Sequence, residues 1–113
     1  MEKCIIKNNN NLVGEIIRDG EKYTFKRTGT EYCDGFMWKD NDGNYINEAT
    51  IDHPFAIMQS RVPDKTNPRT TEWMKKYGMG KYDVWELLKL SNGKMLGDKI
   101  EFIFENNKYR NTI

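Results

Sequence analysis

The stretch Tyr82-Asp83-Val84-Trp85-Glu86-Leu87-Leu88 does most to limit what this chain can fold into. With Asp83 at a helix N-cap, Glu86 falls at N3. The cap carboxylate then accepts from free backbone N–H groups of the first turn, and Glu86 reaches back to the N-cap amide. Tyr82 precedes the cap and Leu87 stands at N4, the spacing of a hydrophobic staple. Val84, Leu87 and Leu88 share one face, with Trp85 and Leu90 at its edges. A helix this apolar on one side must lie on something, and the remainder of the chain has to supply a sheet.

The run from residue 55 to 104 builds a helical layer around that element. Pro54 opens a short helix over 55–60, and Pro63 ends it. Asn67-Pro68 reads as an N-cap followed by proline at N1, opening a helix over 68–77. On that helix Trp73, Met74 and Tyr77 share one side, while Glu72, Lys75 and Lys76 are solvated. Gly78 and Gly80 end it, because glycine takes the left-handed C′ position without penalty. The capped helix stops at Ser91-Asn92-Gly93. A closing strand follows over 100–104, with Ile100, Phe102 and Phe104 on one face and Glu101 and Ile103 on the other. Residues 106–113 read as a polar tail expected to fray.

The sheet comes from the N-terminal half. Cys4-Ile5-Ile6 is a short apolar strand, Asn8 to Asn11 a turn, and residues 12–18 a second strand. Asp19-Gly20 marks a hairpin, since a tight primed turn needs positive φ at its centre. Tyr23 and Phe25 then alternate inward against Thr24 and Lys26. A second hairpin joins residues 36–39 to Tyr45-Ile46 through Asp42-Gly43. The sum is an α+β fold: an antiparallel meander sheet of five or six strands with two to three helices packed on one face, in a single domain over residues 1–113.

With 113 residues, 12% of them aromatic, the chain can bury one modest core. Its net charge of +1 shows no basic stripe, so direct nucleic-acid binding is not expected. No apolar run has the length of a membrane span, and the N-terminus is no signal peptide, which predicts a cytoplasmic protein without membrane contact. Cys4 and Cys33 match no metal or redox spacing and read as free thiols.

The candidates for chemistry are thin. His53 is a conceivable general base, but a lone loop histidine is more often structural or exposed. Cys33 with His53 could be cast as a nucleophile pair, without a spacing to support it. The run 40–44 tempts a calcium reading. It fails because an EF-hand loop with Gly43 at its sixth position needs aspartate where Trp38 stands. Lys94 between Gly93 and Gly97 lacks the spacing of a phosphate loop. Arg61 and Asp64 around Pro63 suggest a buried contact fixing a corner, or else a partner contact. Trp73 and Trp85 stand at core spacing, although one could be a surface anchor, as tryptophan is enriched at binding hot spots. The residues thus point to a binding module with no catalytic residues, metal or cofactor.

The segment Phe55-x-x-Met58-x-Ser60-Arg61-Val62-Pro63-Asp64-Lys65 resembles the helix and Ser-Arg-x-Pro-Asp corner of HipA N-terminal-subdomain proteins. Further along, Lys76-Tyr77-Gly78, Tyr82-Asp83, Glu86-Leu87-Leu88, Gly93 and Asp98-x-x-Glu101-Phe102-Ile103 are similar to that family too. So is the opening Val13-Gly14-Glu15 with Tyr23-Thr24-Phe25. Residues 28–52 depart from it, with a Gly- and Asp-rich hairpin where the family has a tyrosine and a strand-like run.

The resemblance implies a HipS-type antitoxin. In that family the subdomain packs on a serine/threonine kinase; where it is a separate protein, it docks on a shortened HipA/HipT-like kinase beside a HipB-like helix-turn-helix DNA-binding protein. An interface of about 1,600 Å² in total is within reach of such a domain. The expected docking residues are Arg61, Asp64, Lys65, Arg69 and Trp73, with Trp73→Ala or Arg61→Ala weakening kinase binding at little change in thermal midpoint. The alternative is a phage or mobile-element inhibitor that binds a host defence or kinase component. A small enzyme using Cys33 or His53, and a structural subunit of a larger complex, are further rivals.

Overall fold

Two asparagines make the first hairpin. Asn9 and Asn10 both take positive φ, 55° and 65°, the pair of angles a primed two-residue turn demands. They join β1 (Glu2–Asn8) to β2 (Asn11–Asp19), and Gly20 at φ 63° turns β2 into β3 (Lys22–Arg27). The computed structural model describes residues 1–36, 38–39 and 41–109. After β3 come β4 (Trp38–Lys39), β5 (Tyr45–Ile46) and β6 (Glu48–Thr50). The helices α1 (Ala56–Gln59), α2 (Pro68–Lys76) and α3 (Val84–Ser91) follow, and β7 (Ile100–Phe104) closes the order.

The main sheet has five strands in the order β6-β3-β2-β1-β7, and every neighbouring pair is antiparallel. Its register sets the core. Cys4 lies between Ile16 and Phe104, Ile6 lies opposite Phe102, and Ile16 faces Phe25. Tyr23 stands opposite Ala49. All of these are buried on one face. Gly14 is where the strands must come close: a Cβ there would sit 2.4 Å from the Lys26 carbonyl.

α3 lies on that face. Trp85 stacks on Tyr23 at 5.5 Å and meets Phe104 edge-on at 5.0 Å. Phe36 stacks on Phe25 at 4.3 Å and meets Phe55 at 6.0 Å, which ties the start of α1 into the same core. Each fully buried large apolar side chain of this kind contributes about 1.5–3 kcal/mol. The α+β architecture, with an antiparallel sheet and helices on one side, is the expected one.

Three details differ from expectation. The hairpin of β4 and β5 forms its own two-stranded sheet, and the fifth strand of the main sheet is β6, three residues that pair with β3. Met37 and Asp40, in the predicted hairpin, lie outside the described residues. Glu86 does not close a capping box; its carboxylate lies 3.4 Å from Lys89, one turn on. Of the expected tail, residues 110–113 lie outside the described residues, and Asn107 and Tyr109 are docked rather than frayed. Asn107 is buried and donates to the Lys89 carbonyl at 2.7 Å, one that the end of α3 leaves over, and to the side-chain oxygen Oδ1 of Asn92 at 3.2 Å. Tyr109 meets Tyr77 edge-on at 5.7 Å.

The helix end also covers a strand edge. Asn92 takes the left-handed conformation as C-cap of α3, and its carbonyl accepts the Phe102 N–H of β7 at 2.8 Å.

α2 is held differently from its neighbours. Among the described residues, none of its Cα atoms comes within 8 Å of a Cα in another helix or strand. Loops hold it instead, through the buried Thr70 and the contact of Tyr77, just past its end, with Tyr109.

Candidate functional site

The corner between α1 and α2 is built by backbone carbonyls. The Asp64 carbonyl accepts the Asn67 N–H at 3.0 Å and the Thr70 hydroxyl. Asn67 in turn caps α2, its side-chain oxygen accepting the Arg69 N–H at 2.9 Å, with Pro68 at N1 where its missing N–H costs nothing. The Tyr82 hydroxyl donates to the Pro63 carbonyl at 3.0 Å and binds the corner to the start of α3. Burial pushes that hydroxyl's pKa up, and the Asp64 charge adds to the shift.

Beside the corner lies a cleft of about 400 Å³ between the loop after β6, the end of α1 and the approach to α3. Asp52, Asp64, Lys65, Lys81 and Tyr82 line it. Its charges are mixed, two carboxylates and two ammonium groups, which suits a partner surface of paired charges better than a single ion.

The expected docking residues divide. Asp64 and Lys65 are exposed on the cleft. Arg69 is exposed on α2, and Trp73, one turn further, is half-buried on the same side of that helix. Arg61 turns inward. Its side chain is only 3% exposed, Nη1 donates to the Gly93 carbonyl at 2.7 Å, and Nη2 pairs with the Asp98 carboxylate. The anticipated contact with Asp64 is therefore replaced by one 37 residues away in sequence. Arg61 clamps the loop between α3 and β7 and presents no charge to a partner. The hydrogen bond from Arg61 holds the Asp98 carboxyl below its ordinary range, against the opposing pull of burial. Lys81 and Tyr82 were missed as cleft residues; the only local signal was their place just ahead of the Asp83 cap.

The rival chemical candidates are placed as follows. His53 is exposed, its backbone N–H bonded to the Thr50 carbonyl at 3.1 Å. The Cys33 thiol is half-buried and lies over the Asp34 carbonyl at 3.6 Å; burial pushes its pKa up, outweighing the opposing charge of Arg61. Among the described residues, no three His, Cys, Asp or Glu side chains are grouped to hold a metal ion. No helix among them is long and apolar enough to cross a membrane.

No family model, no curated protein and no solved structure matches this chain.

Proposed function

We propose that this chain is a protein-binding module that acts as an antitoxin in the cytoplasm, docking on and inhibiting a HipA/HipT-like serine/threonine kinase, in a system with a HipB-like DNA-binding protein. The support from sequence is the ordered set of corner, helix and strand motifs that resembles the HipA N-terminal subdomain. The observation that carries the reading is the position of α2. Among the described residues none of its Cα atoms comes within 8 Å of a Cα in another helix or strand, and it carries Arg69 and Trp73 on one side, following the exposed Asp64 and Lys65 of the corner. A partner can reach this surface without disturbing the core, and tryptophan and arginine side chains dominate binding energy at such surfaces.

The test is phosphorylation by a purified HipT-like kinase with increasing amounts of the chain. Inhibition is expected, and Trp73→Ala is expected to weaken it about tenfold or more at an unchanged thermal midpoint, as for a hot-spot residue. Full kinase activity at excess chain would sink the reading. A matching fall in midpoint for Trp73→Ala would reassign that residue to structure.

A further inference from the structure

The loop between α3 and β7 is tied at both ends and bare in the middle. Arg61 grips the Gly93 carbonyl and the Asp98 carboxylate together. The Lys94 N–H donates to Ser91 at 3.1 Å, the Ile100 N–H to Asp98 Oδ1 at 3.2 Å, and the Asn9 N–H to the Lys99 carbonyl at 2.9 Å. Gly93, at φ 64°, lies so close over Phe102 that a Cβ would come within 2.5 Å of its ring. Between these fastenings Leu96 is 101% exposed and its neighbour Met95 49%. Leu96 on this fastened loop contributes no burial to the fold, and Met95 keeps about half of its surface in water beside it.

We infer that Met95 and Leu96 form a knob that inserts into an apolar pocket of a protein partner, a pocket with an acidic rim. The charge around the knob sets the rim. Asp98 is matched by Arg61 and Glu101 by Lys94 at 3.4 Å, whereas Lys99 has no ion pair among the described residues. A partner therefore meets a residual positive charge beside the apolar tip. The fastened base lowers the ordering cost of binding, which flexible loops bear at the moment of contact. A lipid surface fits less well, because stable membrane attachment takes a long apolar anchor or a cluster of about four to eight basic residues. This inference is independent of the kinase reading and concerns a different part of the surface.

The experiment places a photoreactive phenylalanine analogue at position 96 of the full chain in the cell that encodes it. The same analogue at Lys26, exposed on β3, is the control. The expected result is an adduct specific to position 96, mapped to an apolar segment of another protein flanked by Asp or Glu. Leu96→Asp should then lower recovery of that protein by about ten- to a hundredfold, as loss of one buried leucine would, at an unchanged thermal midpoint. Any one of four results overturns the inference: no adduct, equal adducts at both positions, an adduct to a second copy of this chain, or an adduct to lipid. Sedimentation with vesicles of phosphatidylglycerol and phosphatidylethanolamine, lost on Leu96→Asp, overturns it as well.

Discussion

Arg18 and Asp83, 65 residues apart, meet through both of their forks: Nη1 lies 3.1 Å from Oδ1 and Nη2 2.9 Å from Oδ2. The same Oδ1 accepts the N–H groups of Trp85 at 3.0 Å and Glu86 at 3.4 Å. One carboxylate thus starts α3 and pins it to β2. The side chains are 16% and 11% exposed, so the pair is largely withdrawn from water. Asp83→Ala removes the cap and leaves Arg18 unmatched. Loss of a buried partner costs about 3–5 kcal/mol, and loss of a cap about 1 more. Asp83→Asn keeps a capping oxygen and should cost clearly less. Urea unfolding of both variants checks the order; equal losses would remove the cap from the account.

Arg61→Ala should lower stability, unlike Trp73→Ala. It strips the Gly93 carbonyl of its donor, a loss of about 1–3 kcal/mol for a buried group. The Asp98 pairing adds a pH signature. Because Arg61 holds the Asp98 pKa below its unfolded value, the contribution is complete above about pH 4 and fades as pH falls through the depressed folded value. The Asp98 carboxyl carbon, followed by NMR, should titrate below the ordinary aspartate range and return to it in Arg61→Ala.

Tyr23 points the other way. Its ring stacks on Trp85, but its hydroxyl is buried with no hydrogen-bond partner among the described residues. Tyr23→Phe keeps the stack and removes an unpaired polar atom, so it should be neutral or stabilising by about 1 kcal/mol. Burial, with the Asp83 charge, pushes the Tyr23 pKa up. The folded state therefore loses stability as pH climbs past about 10, where the unfolded tyrosine ionises. That alkaline loss should flatten in Tyr23→Phe; a destabilised variant would mean the hydroxyl has a partner.

The thiols should be slow. Both are free, and burial pushes both pKa values up, Cys4 more strongly than Cys33. At pH 7.5 a disulfide reagent should titrate Cys33 more slowly than free cysteine and miss Cys4 until the protein unfolds, because the thiolate is the reactive form. A fast-reacting Cys33 would revive the nucleophile reading.

Local signals in the sequence reached a good part of this fold. The Asp83 cap, the asparagine turn, Gly20 and the alternation of Tyr23 with Phe25 each depend on neighbours a few residues away, and all appear as expected. β6 escaped because Glu48-Ala49-Thr50 is too short to show a period; only its pairing with β3 makes it a strand. The partner of Arg61 escaped for a similar reason. Asp64 was near in sequence, while Asp98 is brought near by the turn after α3. The docking of Asn107 depends on the Lys89 carbonyl that the end of α3 leaves open, which composition cannot reveal. For the candidate site, the corner and the capped start of α2 were legible; the cleft beside them, shared by three separate segments, was not.

The Asn92 carbonyl over the Phe102 amide has a consequence for how these molecules behave when crowded. Phe102 is the central residue of an outermost strand, and outermost strands are where one sheet recruits another. With that amide already engaged and a helix terminus beside it, a neighbouring molecule finds no continuous ladder to extend. The opposite border is only three residues long. Concentrated solutions of this protein are therefore guarded at both borders against growth into fibres.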